Sequence, residues 1–388
     1  MGQGVRCVSA EEATATVSGS GDASGASARG DRRGATVEVL RKYGLLLAFC
    51  VVVIVFSVQR PETFPTWDNA TSILTTAAAP LILAVGLTVV LVMRDFDLSF
   101  GAVIGAGAAA AVVGMVSHGL LPIIAILATL LLGAVVGFAN GFLVAYLGGS
   151  SFVITLAMGT IVTGIEYAIS DQTTIYGGIP FSYMEIGQAS TLGLSNLVWI
   201  AAVFSLAVAL LLERTETGRY MYAIGGNAEA ARLAGVRVKV LRLLGFVIVG
   251  VTASAVGVLI SSQGASYSPN LGSAYLLPAF AAAFLGTAVF KPGEFTVAGT
   301  IVGVLFLGVI QTGLTMLNLP TWAINLIQGA ILVVAVLFSQ LERRSIRRTK
   351  TVRQEPTSTD PGTGTPFSGG TPAESNAGAR PATERTRT

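Results

Sequence analysis

Side chains able to do chemistry are scarce in this sequence, and their spacing excludes more than it offers. The single histidine, His118, cannot build a catalytic or metal cluster alone and reads as a structural residue. Cys7 and Cys50 form neither a ligand pair nor a disulfide framework. None of the lysines Lys42, Lys239, Lys291 and Lys350 follows a glycine, so the phosphate loop GxxxxGK[ST] is missing and the chain cannot hydrolyse ATP by itself. No residue therefore receives a catalytic, metal or cofactor role. What remains is ion binding and hydrogen bonding. Glu166 stands in an apolar run without an evident basic partner; it could carry a coupling proton or sodium, or bond to neighbouring helices. Asp97, ahead of Leu98 and Ser99, reads as a structural cap whose carboxylate accepts orphan N–H groups at a helix start. Asn140, Gln311, Asn325 and Gln328 are polar positions inside apolar runs, able either to join helices or to face a polar pathway.

The elements that must position these groups follow from composition. Of 388 residues 52% are hydrophobic and 12% charged, against roughly 25% charged in soluble globular chains. From Tyr43 to Leu212 only nine charged side chains occur, namely Arg60, Glu62, Asp68, Arg94, Asp95, Asp97, Glu166, Asp171 and Glu185. From Leu243 to Ser339 there are two, Lys291 and Glu294. So few charges cannot clothe a water-facing surface, which excludes soluble enzymes and nucleic-acid binders. The chain is expected to be an all-α integral membrane protein in contact with lipid. About ten apolar runs approach the roughly 20 residues needed to cross a bilayer, near 43–58, 72–93, 98–117, 119–146, 151–170, 197–212, 241–262, 273–290, 295–317 and 321–339. The first is followed by Gln59-Arg60-Pro61 rather than a small-residue cleavage site, so it reads as a retained span.

Lysine and arginine orient the runs. Basic residues precede the first run (Arg29, Arg32, Arg33, Arg41, Lys42) and fill the segments 213–242 (Arg214, Arg219, Arg232, Arg237, Lys239, Arg242) and 340–353 (Arg343, Arg344, Arg347, Arg348, Lys350, Arg353). On the opposite side only Arg60 is basic. Ten transmembrane helices with both termini cytoplasmic satisfy all three clusters. The stretches 1–36 and 346–388, rich in Gly, Ser, Thr and Pro, are expected to be disordered cytoplasmic tails around a membrane domain over 37–345. Glycines recur every four residues at Gly133, Gly137 and Gly141, at Gly101 and Gly105, and at Gly299 and Gly303. Such spacing lets helix backbones approach closely in lipid, or smooths a substrate pathway.

Within the cytoplasmic loop 213–242, Asn227 is a good N-cap, Glu229 suits the positive end of a helix, and Gly235 suits a left-handed stop. A short helix from about Ala228 to Ala234 is expected, apolar at Ala230, Ala231, Leu233 and Ala234. Two turns are unstable alone in water, so this helix must pack on its own protein or dock into a partner.

Glu229-Ala230-Ala231 followed by Gly235 resembles the E-A-A-x-x-x-G coupling loop of ABC importer permeases. The wider stretch from Gly218 and Arg219 through Asn227 to Gly235 resembles the loop of ribose-type permeases, the second carbohydrate-uptake family. Asp97-Leu98-Ser99-Phe100-Gly101, Ser151-Phe152-Val153-Ile154-Thr155-Leu156, and Gly299-Thr300 with Gly303 also fit it. The resemblance covers roughly residues 40–340. One departure separates this chain from many members: Tyr275–Ala279 and Gly286–Gly293 replace an acidic residue and a Gly-Gly-rich turn, so the resemblance does not carry ribose itself.

The resemblance implies a non-catalytic permease subunit in the bacterial cytoplasmic membrane, without a cofactor, importing a monosaccharide or related polyol. A purine nucleoside or a signalling furanose is the alternative cargo. It implies three partners: a separate ABC ATPase subunit engaged by Gly218, Arg219, Asn227, Glu229, Ala230, Ala231, Leu233 and Gly235; an extracellular or periplasmic sugar-binding protein; and a second permease copy, forming a homodimer or a heterodimer. Asn140, Glu166, Gln311 and Asn325 are the candidates for the translocation path, and Asp97 and Ser99 for the cap. The other reading left open by the residues is an ion-coupled secondary transporter of a small polar solute, binding its ion at Glu166 or Asp97.

Overall fold

A backbone in lipid has no water to bond, so its N–H and C=O groups must be satisfied internally, and the apolar runs fold as helices. The computed structural model describes residues 44–291, 293–331 and 333. The two tails, the basic segment 340–353 and the end of the last apolar run lie outside the described residues. The helices are α1 (Gly44–Gln59), α2 (Trp67–Val92), α3 (Phe100–Val116), α4 (Pro122–Ala145), α5 (Ser151–Ser170), α6 (Phe181–Gln188), α7 (Asn196–Arg214), α8 (Glu216–Gly226), α9 (Ala228–Leu233), α10 (Val238–Gly264), α11 (Ser273–Gly286) and α12 (Val297–Met316). A further helical segment, α13, covers 321–331. Among the described residues six helices, α2, α4, α5, α7, α10 and α12, are long and apolar enough to cross a membrane; α1, α3 and α11 are shorter apolar helices.

Four two-residue strands decorate one end of the bundle. β1 (Ile175–Tyr176) pairs antiparallel with β4 (Ser266–Tyr267), and β2 (Ser190–Thr191) pairs with β3 (Leu194–Ser195) in a hairpin. The opposite end carries α8, α9 and the turn between α2 and α3.

Two helix limits differ from those expected from hydropathy. α2 starts at Trp67 rather than near 72, because Thr66 caps it with a bond from Asn69 N to its Oγ1 (3.2 Å) and Asn69 Nδ2 returns to Phe64 O (2.7 Å). Local capping thus extends the helix through a polar stretch. α11 stops at Gly286, where a turn closed by Gly293 N to Thr287 O (3.0 Å) takes over, with Phe290 at φ +57°.

The arrangement is inverted relative to a soluble protein. On α4, Leu127, Leu131, Val135, Phe138 and Phe142 are exposed, a lipid-facing apolar stripe, whereas Gly133, Gly137 and Gly141 lie on the buried face. A Cβ on Gly137 would come within 2.8 Å of Val247 Cα and run into the Phe246 carbonyl of α10; one on Gly141 would lie 2.8 Å from Leu243 Cα. Gly250 of α10 meets Gly137 from the other side, where an added Cβ would lie 3.0 Å from its Cα. The same device brings Gly299 and Gly303 of α12 onto Gly286 and Ala282 of α11. The four-residue glycine spacings are therefore packing surfaces between backbones. Because attraction between helices in lipid comes from van der Waals contact and hydrogen bonding, this approach distance is what holds the bundle.

Gly137→Val should lower the stability of the purified protein by about 1–3 kcal/mol through overpacking against α10. Leu131→Ile on the lipid face should stay within about 0.5 kcal/mol. Thermal unfolding in detergent, followed by size-exclusion chromatography, compares the two.

Candidate functional site

The coupling segment begins where α7 ends. Thr215 caps α8 through Gly218 N to Thr215 Oγ1 (3.1 Å), and α8 folds back so tightly that a side chain at Gly218 would strike the carbonyls of Leu211 and Leu212. Gly225 seats α8 on the end of α2, where an added Cβ would lie 3.0 Å from the Val92 carbonyl carbon. Tyr222 OH donates to Phe295 O (2.9 Å), tying α8 to the connection before α12; burial pushes this phenol up to about 12, so it stays a donor. Arg219 forms only an exposed pair with Glu216, at 3.8 Å.

α9 is fastened at both ends. Asn227 Oδ1 accepts from Glu229 N and Ala230 N, both at 3.0 Å. At the other end Gly235 takes φ +87°, and the bonds Gly235 N to Arg232 O and Val236 N to Ala231 O, each 3.0 Å, close the last turn. Glu229 and Arg232 pair along the surface, with Arg232 Nε to Glu229 Oε2 at 3.0 Å. Only Ala231 is buried; Ala230, Arg232 and Glu229 are exposed, and Leu233 is 76% exposed. The expected helix is present, one residue shorter. α8 has no counterpart among the apolar runs, although the three-residue spacing of Gly218, Met221 and Ile224, its buried face, carries its signal.

The four pathway candidates fall in three places. Asn140 is buried on α4, giving Nδ2 to Ser99 Oγ (2.8 Å). Ser99 in turn gives its Oγ–H and its N–H to Asp97 Oδ1, at 2.6 and 2.8 Å, so Asp97 holds the start of α3 while Ser99 occupies the N-cap position. Glu166 is 1% exposed: its Oε1 accepts from Asn270 N (2.7 Å) and lies 3.0 Å from Tyr267 OH. Oε2 has no hydrogen-bond partner among the described residues and packs at Gly105 of α3. Glu166 thus joins α5 to the segment following α10.

Gln311 and Asn325 do come together, across a cavity of about 400 Å³ between α2, α11, α12 and α13. Thr76, Ser273 and Gln328 complete its polar lining, and Gln328 Nε2 donates to Gln311 Oε1 (3.2 Å). Pro80 and Pro278 also line it, each inside a helix. A proline in a helix cannot donate to the carbonyl four residues earlier. Those carbonyls belong to Thr76 and Ala274, which both face the cavity. The wall is mainly apolar, with the amides of Gln311, Asn325 and Gln328 and the hydroxyls of Thr76 and Ser273 set into it, and none of its lining residues is ionisable. Two prolines within apolar runs were the available sequence signal for this site.

Two of the stretches that carried the resemblance, 97–101 and 151–156, meet in space, and a third, at Thr300, meets α2. Phe96 N bonds Ser151 Oγ (3.2 Å) and Leu98 N bonds Thr155 Oγ1 (3.0 Å), while Thr300 Oγ1 lies 2.9 Å from Thr88 Oγ1.

A polytopic helical bundle with an uncharged internal cavity and a capped helix exposed at one end defines a multi-pass membrane transport protein. Residues 69–336 match the family described as branched-chain amino acid transport system / permease component, and the chain belongs to that family. Over 313 residues it is 31% identical to the ribose import permease protein RbsC of Escherichia coli (strain K12), covering 79% of this chain and 96% of that protein. It is 31% identical to the L-arabinose ABC transporter permease protein AraH of Azospirillum brasilense (82% and 93% covered) and to the D-allose transport system permease protein AlsC of Escherichia coli (strain K12) (77% and 92% covered). No solved structure matches the chain significantly.

Asn227→Ala should loosen α9 by about 1 kcal/mol and speed amide exchange over 228–234 about fivefold. The Arg232 hydrogen bond holds the Glu229 carboxyl below the ordinary glutamate value. A carboxyl depressed on folding stabilises above its unfolded value of about 4.3 and loses that contribution as pH falls through the lower folded value. Protection of Ala230–Ala234, corrected for intrinsic exchange, should therefore be flat from about pH 7 to 5 and decline only below about pH 4.

Proposed function

We propose that this chain is the permease subunit of an ATP-binding-cassette importer in a bacterial cytoplasmic membrane, carrying a neutral monosaccharide or related polyol into the cell. In this reading the ten apolar helices all cross the bilayer, both termini are cytoplasmic, and 1–36 and 346–388 are tails outside the membrane domain. α9 is the coupling helix. A separate ATPase receives it, a second permease subunit, the same chain in the simplest case, completes the pore, and an external binding protein delivers the sugar.

The observation that carries this reading is α9 itself. Six residues cannot hold a helix in water, yet here both ends are capped and all but one of the side chains point away from the rest of the chain. A helix stabilised so thoroughly and buried so little is built to be gripped by something else. Asn227 and Gly235 set its two ends and Glu229 stands on its exposed first turn, the features an ATPase would grip. No covalent step is required of this chain; nucleotide-driven closure of the ATPases moves α9, and differential contacts in two conformations do the work.

The cavity supports the cargo class. The family description names branched-chain amino acids, whereas the relatives named above carry ribose, arabinose and allose in their titles. A zwitterionic amino acid, stripped of water, needs opposite charges or several aligned dipoles for its two ionised ends. The cavity wall has no charged residue, and the amides and hydroxyls set into its apolar surface suit the hydroxyls and C–H faces of a sugar. Asn140 and Glu166, buried in their own hydrogen bonds, serve the scaffold in this reading, and Gln311 and Asn325 the path.

Purification in mild detergent should recover an ATPase in stoichiometric amount, and Glu229→Ala or Gly235→Val should reduce its retention and ATP-driven sugar uptake by about tenfold at unchanged membrane abundance. Wild-type retention and uptake in both variants would overturn the reading. Asn325→Leu should lower uptake of ribose or arabinose without changing ATPase retention.

A further inference from the structure

One short turn joins α2 to α3 and is fastened to three further helices. Residues 93–99 connect α2 to α3, and Arg94 takes φ +64° there, reversing the chain so that Asp95 turns inward with Asp95 N on Val90 O (3.1 Å). From this turn Phe96 N and Leu98 N reach Ser151 and Thr155 at the start of α5, and Ser99 reaches Asn140 on α4. The last attachment is ionic. Arg242, in the second turn of α10, grips Asp95 with both arms of its guanidinium, Nε to Oδ2 at 2.6 Å and Nη2 to Oδ1. The Asp95 side chain is 1% exposed and that of Arg242 30%, so the pair is held in a largely water-free setting. Gly245, one turn further along α10, abuts Met93, where an added Cβ would lie 2.5 Å from its Cε.

The position of Arg242 gives the pair its meaning. Val236 N is bonded to Ala231 O and Leu241 N to Arg237 O, so α9 runs into α10 through a short connection tied at both ends. Gly225 of α8 rests on Val92 on the other side of the same turn. A push on α9 therefore arrives at 93–99 along two routes, one through packing and one through a two-pronged charge pair.

We propose that the Asp95–Arg242 pair is the strut through which movement of α9 is delivered to the α2–α3 turn, and from there to α4 and α5. This rests on the importer reading. Arg242 and Asp95 are positioning residues: neither meets the transported solute in the cavity described above. A bidentate guanidinium-carboxylate pair resists rotation as well as separation, as a single packing contact does not. Removing Arg242 alone strands Asp95 as a buried charge, so the informative variant neutralises both.

The test uses the full complex with its ATPase and binding protein, in lipid nanodiscs for exchange and in proteoliposomes for uptake of radiolabelled ribose and arabinose. Hydrogen exchange with and without a non-hydrolysable ATP analogue reads the movement without depending on the cargo. In the wild type, the analogue should change exchange both over 228–235 and over 93–99. In Asp95→Asn/Arg242→Gln the change over 228–235 should persist, that over 93–99 should vanish, and sugar moved per ATP hydrolysed should fall about tenfold. Arg242→Lys, which keeps the charge and loses the fork, should fall between and covers the case in which the double variant does not assemble. A purely structural pair would lower assembled complex, hydrolysis and uptake together and leave the ratio unchanged. An unchanged ratio, or a surviving response over 93–99, overturns the strut. Wild-type complex without ATP-driven uptake overturns the importer reading instead.

Discussion

Helix backbones in this protein come together only where side chains have been removed from between them, and the rest of the structure depends on that. α10 is the clearest case. Along its length Gly245, Gly250 and Gly257 meet α2, α4 and α3 in turn, and Gly133 and Gly137 answer from α4. Because lipid offers no hydrophobic drive to associate, these approaches supply the van der Waals contact that fixes where α10 stands. Its two ends are then placed without further choice. At one end Arg242 meets the α2–α3 turn; at the other Ser261 bonds Tyr183 OH (2.6 Å) and Tyr267 reaches Glu166.

Polar groups inside the bundle divide by what they do about their own hydrogen bonds. Ser99, Asn140 Nδ2, Thr155 and Glu166 Oε1 bond groups of neighbouring segments and tie α3, α4 and α5 together, while Asn140 Oδ1 and Glu166 Oε2 stay buried without a partner among the described residues. Gln311 and Asn325 border an open volume instead.

Much of this was legible in the chain. The apolar runs located the helices, since twenty residues without a charge have one stable backbone conformation in lipid. The segment Asn227–Gly235 announced α9 because capping is chemistry local to a few residues. The four-residue glycine spacing announced backbone contact. Three features were not legible. Asp95 and Arg242 are 147 positions apart, and nothing local in either marks the other as its partner. Glu166 carried no sign that Tyr267 and the Asn270 amide would receive it, because both arrive from a segment a hundred residues away. Gln311 and Asn140 look alike as lone amides in apolar helices, and only the rotation of each helix about its axis, set by the glycine contacts, decides which one meets open space.

The charge-free lining of the cavity has an electrical consequence. A charged group carried across a membrane exchanges about 2.3 kcal/mol with each 100 mV of potential. The walls between α2, α11, α12 and α13 hold none, and a sugar brings none. On the importer reading proposed above, passage of a neutral sugar through this volume is silent to voltage: a cell whose membrane has depolarised would lose its ion gradients and keep this route, because the solute and the lining give the field nothing to pull on.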